Sequence, residues 1–157
     1  MRFALLLLFP LSLCAQAPGP GIFKSVNSKY DELSPVVSPD GLTLFVTVAN
    51  HPSNAGGVKD PGDIWISSWE GSQWSLPVHG GPLLNDAGYN GVAGFSPDGQ
   101  QLYLFNHYGK SGSRATTQGL SVSRWREGRW DAPENMAIPY FLNREAELTG
   151  SITSDGQ

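Results

Sequence analysis

Cysteine is nearly absent from this 157-residue chain, Cys14 being the only one. One thiol cannot close an internal disulfide, so the fold has no disulfide framework to lean on. Charge is sparse as well: Asp, Glu, Lys and Arg together make up 15% of the residues, and the net charge is -4. Clusters of Lys and Arg are missing, which removes the electrostatic footprint of a nucleic-acid surface. No segment carries an apolar 3.6-residue period long enough to predict a helix. No catalytic constellation stands at a convincing spacing, no Gly-x-Ser-x-Gly elbow is present, and no cofactor or metal ion is implied. What is plentiful is Gly, at 19, and Pro, at 12. With so little charge, that composition predicts short strands joined by tight turns, an all-β class.

Residues 1–17 have the pattern of a secretory signal. Arg2 supplies the positive start, Ala4 to Leu13 form an apolar stretch broken by Pro10, and Ala15-Gln16-Ala17 offers small residues for cleavage near Ala15 or Ala17. The apolar stretch is about ten residues, too short to cross a ~30 Å hydrocarbon core as a helix, so no transmembrane segment is expected. A lipid anchor on Cys14 is disfavoured because Leu13, directly before it, is not small. The expected location is periplasmic or secreted.

The remaining chain is organised by a repeat. Ser38-Pro39-Asp40-Gly41 returns as Ser96-Pro97-Asp98-Gly99 and, in degenerate form, as Thr153-Ser154-Asp155-Gly156. Asn27, Asn85 and Asn143 precede the three turns at matching distances, as do Glu32, Asn90 and Glu147. Trp69 to Trp74 with Pro77 matches Trp125 to Trp130 with Pro133. Ser-Pro-Asp-Gly meets the demands of a type I turn: a capping Ser, a Pro with φ preset, and a final Gly for the left-handed position that closes a three-residue hairpin. The flanking strands are predicted at Pro35 to Val37 and Leu42 to Val46, and at Val92 to Phe95 and Leu102 to Phe105. Asp63 to Trp69 and Gly119 to Trp125 make third strands, and short outer strands fall about Trp74 and Trp130. Four-stranded antiparallel units of regular length, apolar on both faces, are what a β-propeller blade requires.

With those residues in view, the repeat resembles the TolB-like, WD-repeat-like "Pro-Asp" β-propeller repeats of bacterial envelope proteins, including those ahead of OmpA-type domains. The likeness rests on the Asn27 to Glu32 approach, Ser38 to Gly41, Leu44-Phe45, Asp63-Ile64-Trp65 and the Gly71 to Trp74 hairpin ending at Pro77. The second copy departs from it where Gly119-Leu120-Ser121 replaces Asp-Ile-Trp. The resemblance implies blades at about 33–77 and 91–133, the start of another at about 147–157, and a preceding strand at Gly21 to Val26. Propellers need about four to eight blades. The expectation is therefore a partial propeller on a truncated chain, its remaining blades in cis, with self-association as the alternative.

Alternating connections would place the Ser-Pro-Asp-Gly and Trp hairpins at one end and the long loops at the other. Ligand residues are sought in those loops: Glu32, Asn50, His51, Asn90, Asn106, His107 and Glu147. Asn50-His51 and Asn106-His107 occupy equivalent places after the second strand. Two imidazoles with Glu32 or Glu147 could hold a metal or act as acid and base; the plainer role is capping of loop backbone. Asp60 and Asp63 could offer oxygens to Ca²⁺ but lack the alternating acidic pattern of a dedicated loop, which leaves turn and strand-start roles. Asp40, Asp98 and Asp155 have a structural place at hairpin tips; the five tryptophans could stack sugars but their register suits packing between blades, and Lys110 and Arg114 could meet an anionic ligand but as loop charges are expected to stay solvated. The resemblance implies a non-catalytic module binding an envelope protein, peptidoglycan or a glycan. The alternative is part of a propeller enzyme, a sialidase-like glycosidase or the propeller of a serine peptidase. Gly41 follows Asp40 directly, unlike the Ser-x-Asp-x-Gly-x-x-Trp box of sialidases.

Overall fold

A computed structural model describes residues 20–109, 119–139, 141 and 150–152. The expected signal with Cys14, the loop carrying Lys110 and Arg114, Asn143, Glu147 and the third turn lie outside the described residues. The fold is all-β, built from two antiparallel sheets. In the first, β1 (Asp31–Val37), β2 (Thr43–Ala49), β3 (Asp63–Ser68) and β4 (Val78–His79) lie side by side in chain order. The second repeats that order with β5 (Val92–Phe95), β6 (Gln101–Phe105), β7 (Leu120–Arg126) and β8 (Arg129–Trp130), and β9 (Glu134–Asn135) also pairs with β7. No α-helix occurs among the described residues, and none there is long and apolar enough to cross a membrane.

The two Ser-Pro-Asp-Gly turns fold alike. In the first, Gly41 N–H donates to Ser38 O at 2.9 Å, and Asp40 Oδ1 accepts from Ser38 Oγ at 2.5 Å and from Leu42 N–H at 3.0 Å. Ser96, Asp98, Gly99 and Gln100 reproduce these bonds at the same distances. Gly41 and Gly99 take φ of +74° and +70°, where a Cβ would be strained. The Ser hydroxyl, with help from the backbone N–H, holds each carboxyl below the usual carboxylate range.

The first and second strands of each sheet also share an irregularity, a register shift in β1 between Leu33 and Val36 and in β5 between Val92 and Gly94. The outer strand is less continuous than its sequence implies. In the first sheet it is a lone bridge between Trp69 and Trp74 followed by β4, and in the second it is β8 followed by β9. Pro77 and Pro133, which lack an N–H for the ladder, stand directly before β4 and β9.

β2 and β6 are apolar on both faces because both faces are covered. Phe45 and Ile64 point towards the second sheet and meet Val92, Phe95, Leu102 and Leu104 in one cluster, with Trp130 packed against it. Phe45 sits edge-on to Phe95 and Trp130, with centroids at 5.4 and 6.4 Å. Leu44, Val46 and Val48 face away and pack with Trp74 and Val26, while Phe105 packs with Tyr89 and Ala93 on the far side of the second sheet. Each buried side chain of this size is worth about 1.5–3 kcal/mol.

The expected strand at Gly21 to Val26 is not formed. Pro20–Phe23 make a 3-10 turn, and Val26 and Asn27 N–H both donate to Phe23 O at 3.0 Å. Burial explains the change: curling inward places Val26 beside Trp74, whose N–H donates to Ile22 O at 3.1 Å and whose carbonyl accepts from Ser25 Oγ. The segment covers the face of the first sheet that corresponds to the one by which the second sheet meets the first.

Candidate functional site

The long connections gather at the end of the sheets opposite the Ser-Pro-Asp-Gly turns. Asn50 and Asn106 end β2 and β6 with φ of +60° and +70°, in the left-handed region that Asn tolerates better than most residues. Each then ties its N–H to the third strand's approach: Asn50 to Asp60 O at 2.9 Å, Asn106 to Gly119 O at 2.7 Å. Asn106 also donates through Nδ2 to Tyr89 O at 2.7 Å, and its buried Oδ1 has no partner among the described residues. Asn90 is buried between the sheets, accepting from Asp86 N–H through Oδ1 at 2.9 Å and from the Thr47 hydroxyl through its carbonyl at 3.0 Å. The side chains of Asn90 and Asn106 cap backbone, while Asn50 Nδ2 reaches the Asp31 carboxylate at 3.5 Å.

The two histidines diverge. The His51 ring lies between Tyr30 and Trp65, at centroid distances of 4.5 and 4.4 Å, and its Nδ1 accepts from Ser53 N–H at 3.1 Å. Burial, reinforced by His79 and Lys29, lowers its pKa. His107 instead donates from Nε2 to Met136 O at 3.2 Å. Glu32 is half-buried and accepts from Ser28 N–H at 3.1 Å and from the Ser28 hydroxyl. Glu32 and Asn50 share a shallow hollow with Tyr30 and Pro61, of about 510 Å³, which Asn90, Asn106 and His107 do not line. No group of three His, Cys, Asp or Glu able to hold a metal occurs among the described residues. The paired-imidazole centre is not assembled there.

A different cluster is assembled. Asp63, at the start of β3, is fully buried, and its Oδ2 accepts from His79 Nε2 at 2.7 Å and Ala55 N–H at 2.6 Å. His79 Nδ1 accepts from Gly81 N–H at 3.2 Å, which places the ring proton on Nε2. Asn85 extends the sheet as a peptide would, accepting from Ile64 N–H at 2.7 Å and donating to Ile64 O at 3.0 Å. Asp60, also buried, turns its carboxylate on Gly56 and Gly62 N–H at 2.6 and 2.9 Å. Asp60 thus spends both oxygens on the 50–62 loop and Asp63 divides Oδ2 between that loop and His79, while the buried Asp63 Oδ1 has no partner among the described residues. Burial pushes the Asp63 carboxyl above its ordinary range, opposed by the His79 and Ala55 hydrogen bonds.

The second repeat changes both members together: Gly119 replaces Asp63 and Asn135 replaces His79. That paired change was visible in the sequence, and it marks His79, which no spacing had singled out. The space left by the missing carboxylate is filled by His107, whose ring would collide with a Cβ on Gly119. Gly119→Ala is accordingly expected to displace the imidazole from Met136 O and cost about 1–2 kcal/mol. Denaturant melts of Gly119→Ala with and without His107→Ala check this, because removing the ring should relieve most of the loss.

Comparison with protein-family models, curated proteins and solved structures finds no match to this chain.

Proposed function

We propose that the chain is part of an exported β-propeller of the TolB-like kind, serving as a non-catalytic binding module for protein, peptidoglycan or glycan in the cell envelope. The reading is carried by one observation: two four-strand arrays of the same order and turn chemistry stack through a shared apolar cluster, hairpins at one end and long loops at the other. Sheets buried on both faces need neighbours, and a ring of such sheets supplies them. The signal-like residues 1–17 support export. Binding without turnover is favoured by the state of the buried acid–imidazole pair. Both nitrogens of His79 are engaged, by Asp63 and by Gly81 N–H, so neither is left to take a substrate proton.

The test begins with the protein recovered from outside the cytoplasm. Its intact mass should lack the residues up to Ala15 or Ala17, and it should co-sediment saturably with purified peptidoglycan sacculi or an envelope fraction. Release of soluble fragments from sacculi, or turnover of chromogenic glycosides or peptide esters, would replace this reading with an enzyme. Recovery of the protein only from the cytoplasm, with residues 1–17 retained, would remove export.

A further inference from the structure

Between the two repeats, at the hairpin end and away from every loop considered above, lies a cleft of about 460 Å³. Phe45 and Ile66 of the first sheet form an apolar floor, and Trp125 and Trp130 of the second form an aromatic wall. Asp40, Asp98 and Gln100 make the rim. Trp130 packs against the core between the sheets and sits edge-on to Trp125 at 5.1 Å, and Trp125 remains 40% exposed. The volume lies within the range of small-molecule sites, about 300–1,000 Å³.

Among the described residues the lining has no Lys, Arg or His, and the nearby arginines of β7 are occupied, Arg124 by Glu134 at 2.5 Å and Arg126 by Asp131 at 3.2 Å. An anionic ligand would meet two carboxylates with no compensating charge. Each rim carboxylate has its Oδ1 committed to its own turn, and Oδ2 meets no donor from another residue among those described, so the rim offers acceptors. Both aspartates are exposed, where attraction to a cation is screened and weak. Contact with an indole and an apolar floor is not screened. The chemistry therefore favours a ligand with one apolar face and an edge of hydroxyl donors over a simple cation.

We propose that this cleft is a saccharide subsite, taking an uncharged pyranose ring of a glycan against Trp125 with hydroxyls donated to Asp40 and Asp98 and exchanged with Gln100. The subsite needs only the two sheets as they pack, so it stands whether or not further blades complete a ring.

The test uses the whole exported protein with an N-acetylglucosamine trimer and a cellulose trimer as neutral probes. A galacturonic acid trimer serves as the acidic probe and N-acetylarginine amide as the cationic one. Neutral trimers should perturb the Gly99, Gln100 and Trp125 indole resonances at about millimolar concentration, with the acidic trimer at least about tenfold weaker. Trp125→Ala should weaken binding about tenfold or more, Trp125→Phe should retain part of it, and the exposed Gln100→Ala should weaken it without touching the core. No response to either neutral trimer, a response that survives Trp125→Ala in a folded protein, or binding of the arginine amide in their place would each overturn the assignment. Loss of sacculus binding with the cleft response intact bears on the proposed function alone, and the converse bears on this cleft alone.

Discussion

Replacing Phe45 with alanine is expected to cost about 3–5 kcal/mol, against a total stability for a domain of this size of about 5–15 kcal/mol. Phe45 is buried in the centre of the cluster that joins the two sheets, edge-on to Phe95 and Trp130 of the second. Truncation would leave a void walled on one side by β2 and β3 and on the other by β5 and β6. Neither wall can close it without moving a whole sheet. The loss should therefore appear in both sheets, as faster amide exchange at Leu102 to Phe105 as well as at Leu44 to Val48. Leu76→Ala is the contrast: its side chain is 74% exposed, and the change should stay within about 0.5 kcal/mol. Urea melts of both variants with residue-resolved hydrogen exchange decide the matter. A Phe45→Ala effect confined to the first sheet would mean that the sheets are energetically independent, and would remove the packing basis of the propeller reading.

Much of this architecture was legible because turn chemistry and strand periodicity are local. Ser-Pro-Asp-Gly specifies its own hydrogen bonds, and those at Asp40 and Asp98 form in the same geometry. Runs such as Leu44-Phe45-Val46, apolar at every position, announce a strand covered on both faces, and Leu44 and Phe45 do enter different clusters. What was not legible depends on partners distant in sequence. Gly21 to Val26 has strand-like residues, but Trp74 and Ser25 make a better bargain when the segment curls over the sheet. The outer strands break just before β4 and β9, at Pro77 and Pro133, which have no N–H for the ladder.

The candidate site shows the same division. Asn50 and Asn106 both answer one backbone need, a positive φ at the end of a strand. Their neighbours His51 and His107 were paired by the same alignment, yet ring placement depends on what surrounds the loop. Tyr30 and Trp65 capture one ring, and the void above Gly119 admits the other. Equivalence in the repeat fixes where a residue starts, and a missing carboxylate nearby decides where its side chain goes.

The Asp63–His79 pair gives the other large effect. Asp63→Ala should cost about 2–4 kcal/mol, because the Ala55 N–H and the His79 Nε2–H both lose their buried acceptor. His79→Ala should cost less, since that side chain is 25% exposed and Asp63 keeps its bond from Ala55. If the two act as a unit, the double variant falls short of the sum of the singles. The pair also sets a pH dependence. The folded pKa of Asp63 lies above the unfolded value near 3.8, so the folded state binds the extra proton between them. The stability tied to this group is present in full below that unfolded value and is lost as pH rises through the folded one. Asp63→Asn, which cannot ionise, should flatten that part of the stability curve while retaining an acceptor for Ala55 and His79. Urea melts of wild type, Asp63→Asn and Asp63→Ala from pH 3 to pH 7 compare the slopes. Equal slopes in wild type and Asp63→Asn would show that burial does not penalise the Asp63 charge, and strict additivity would show that His79 and Asp63 stabilise the 50–62 loop separately.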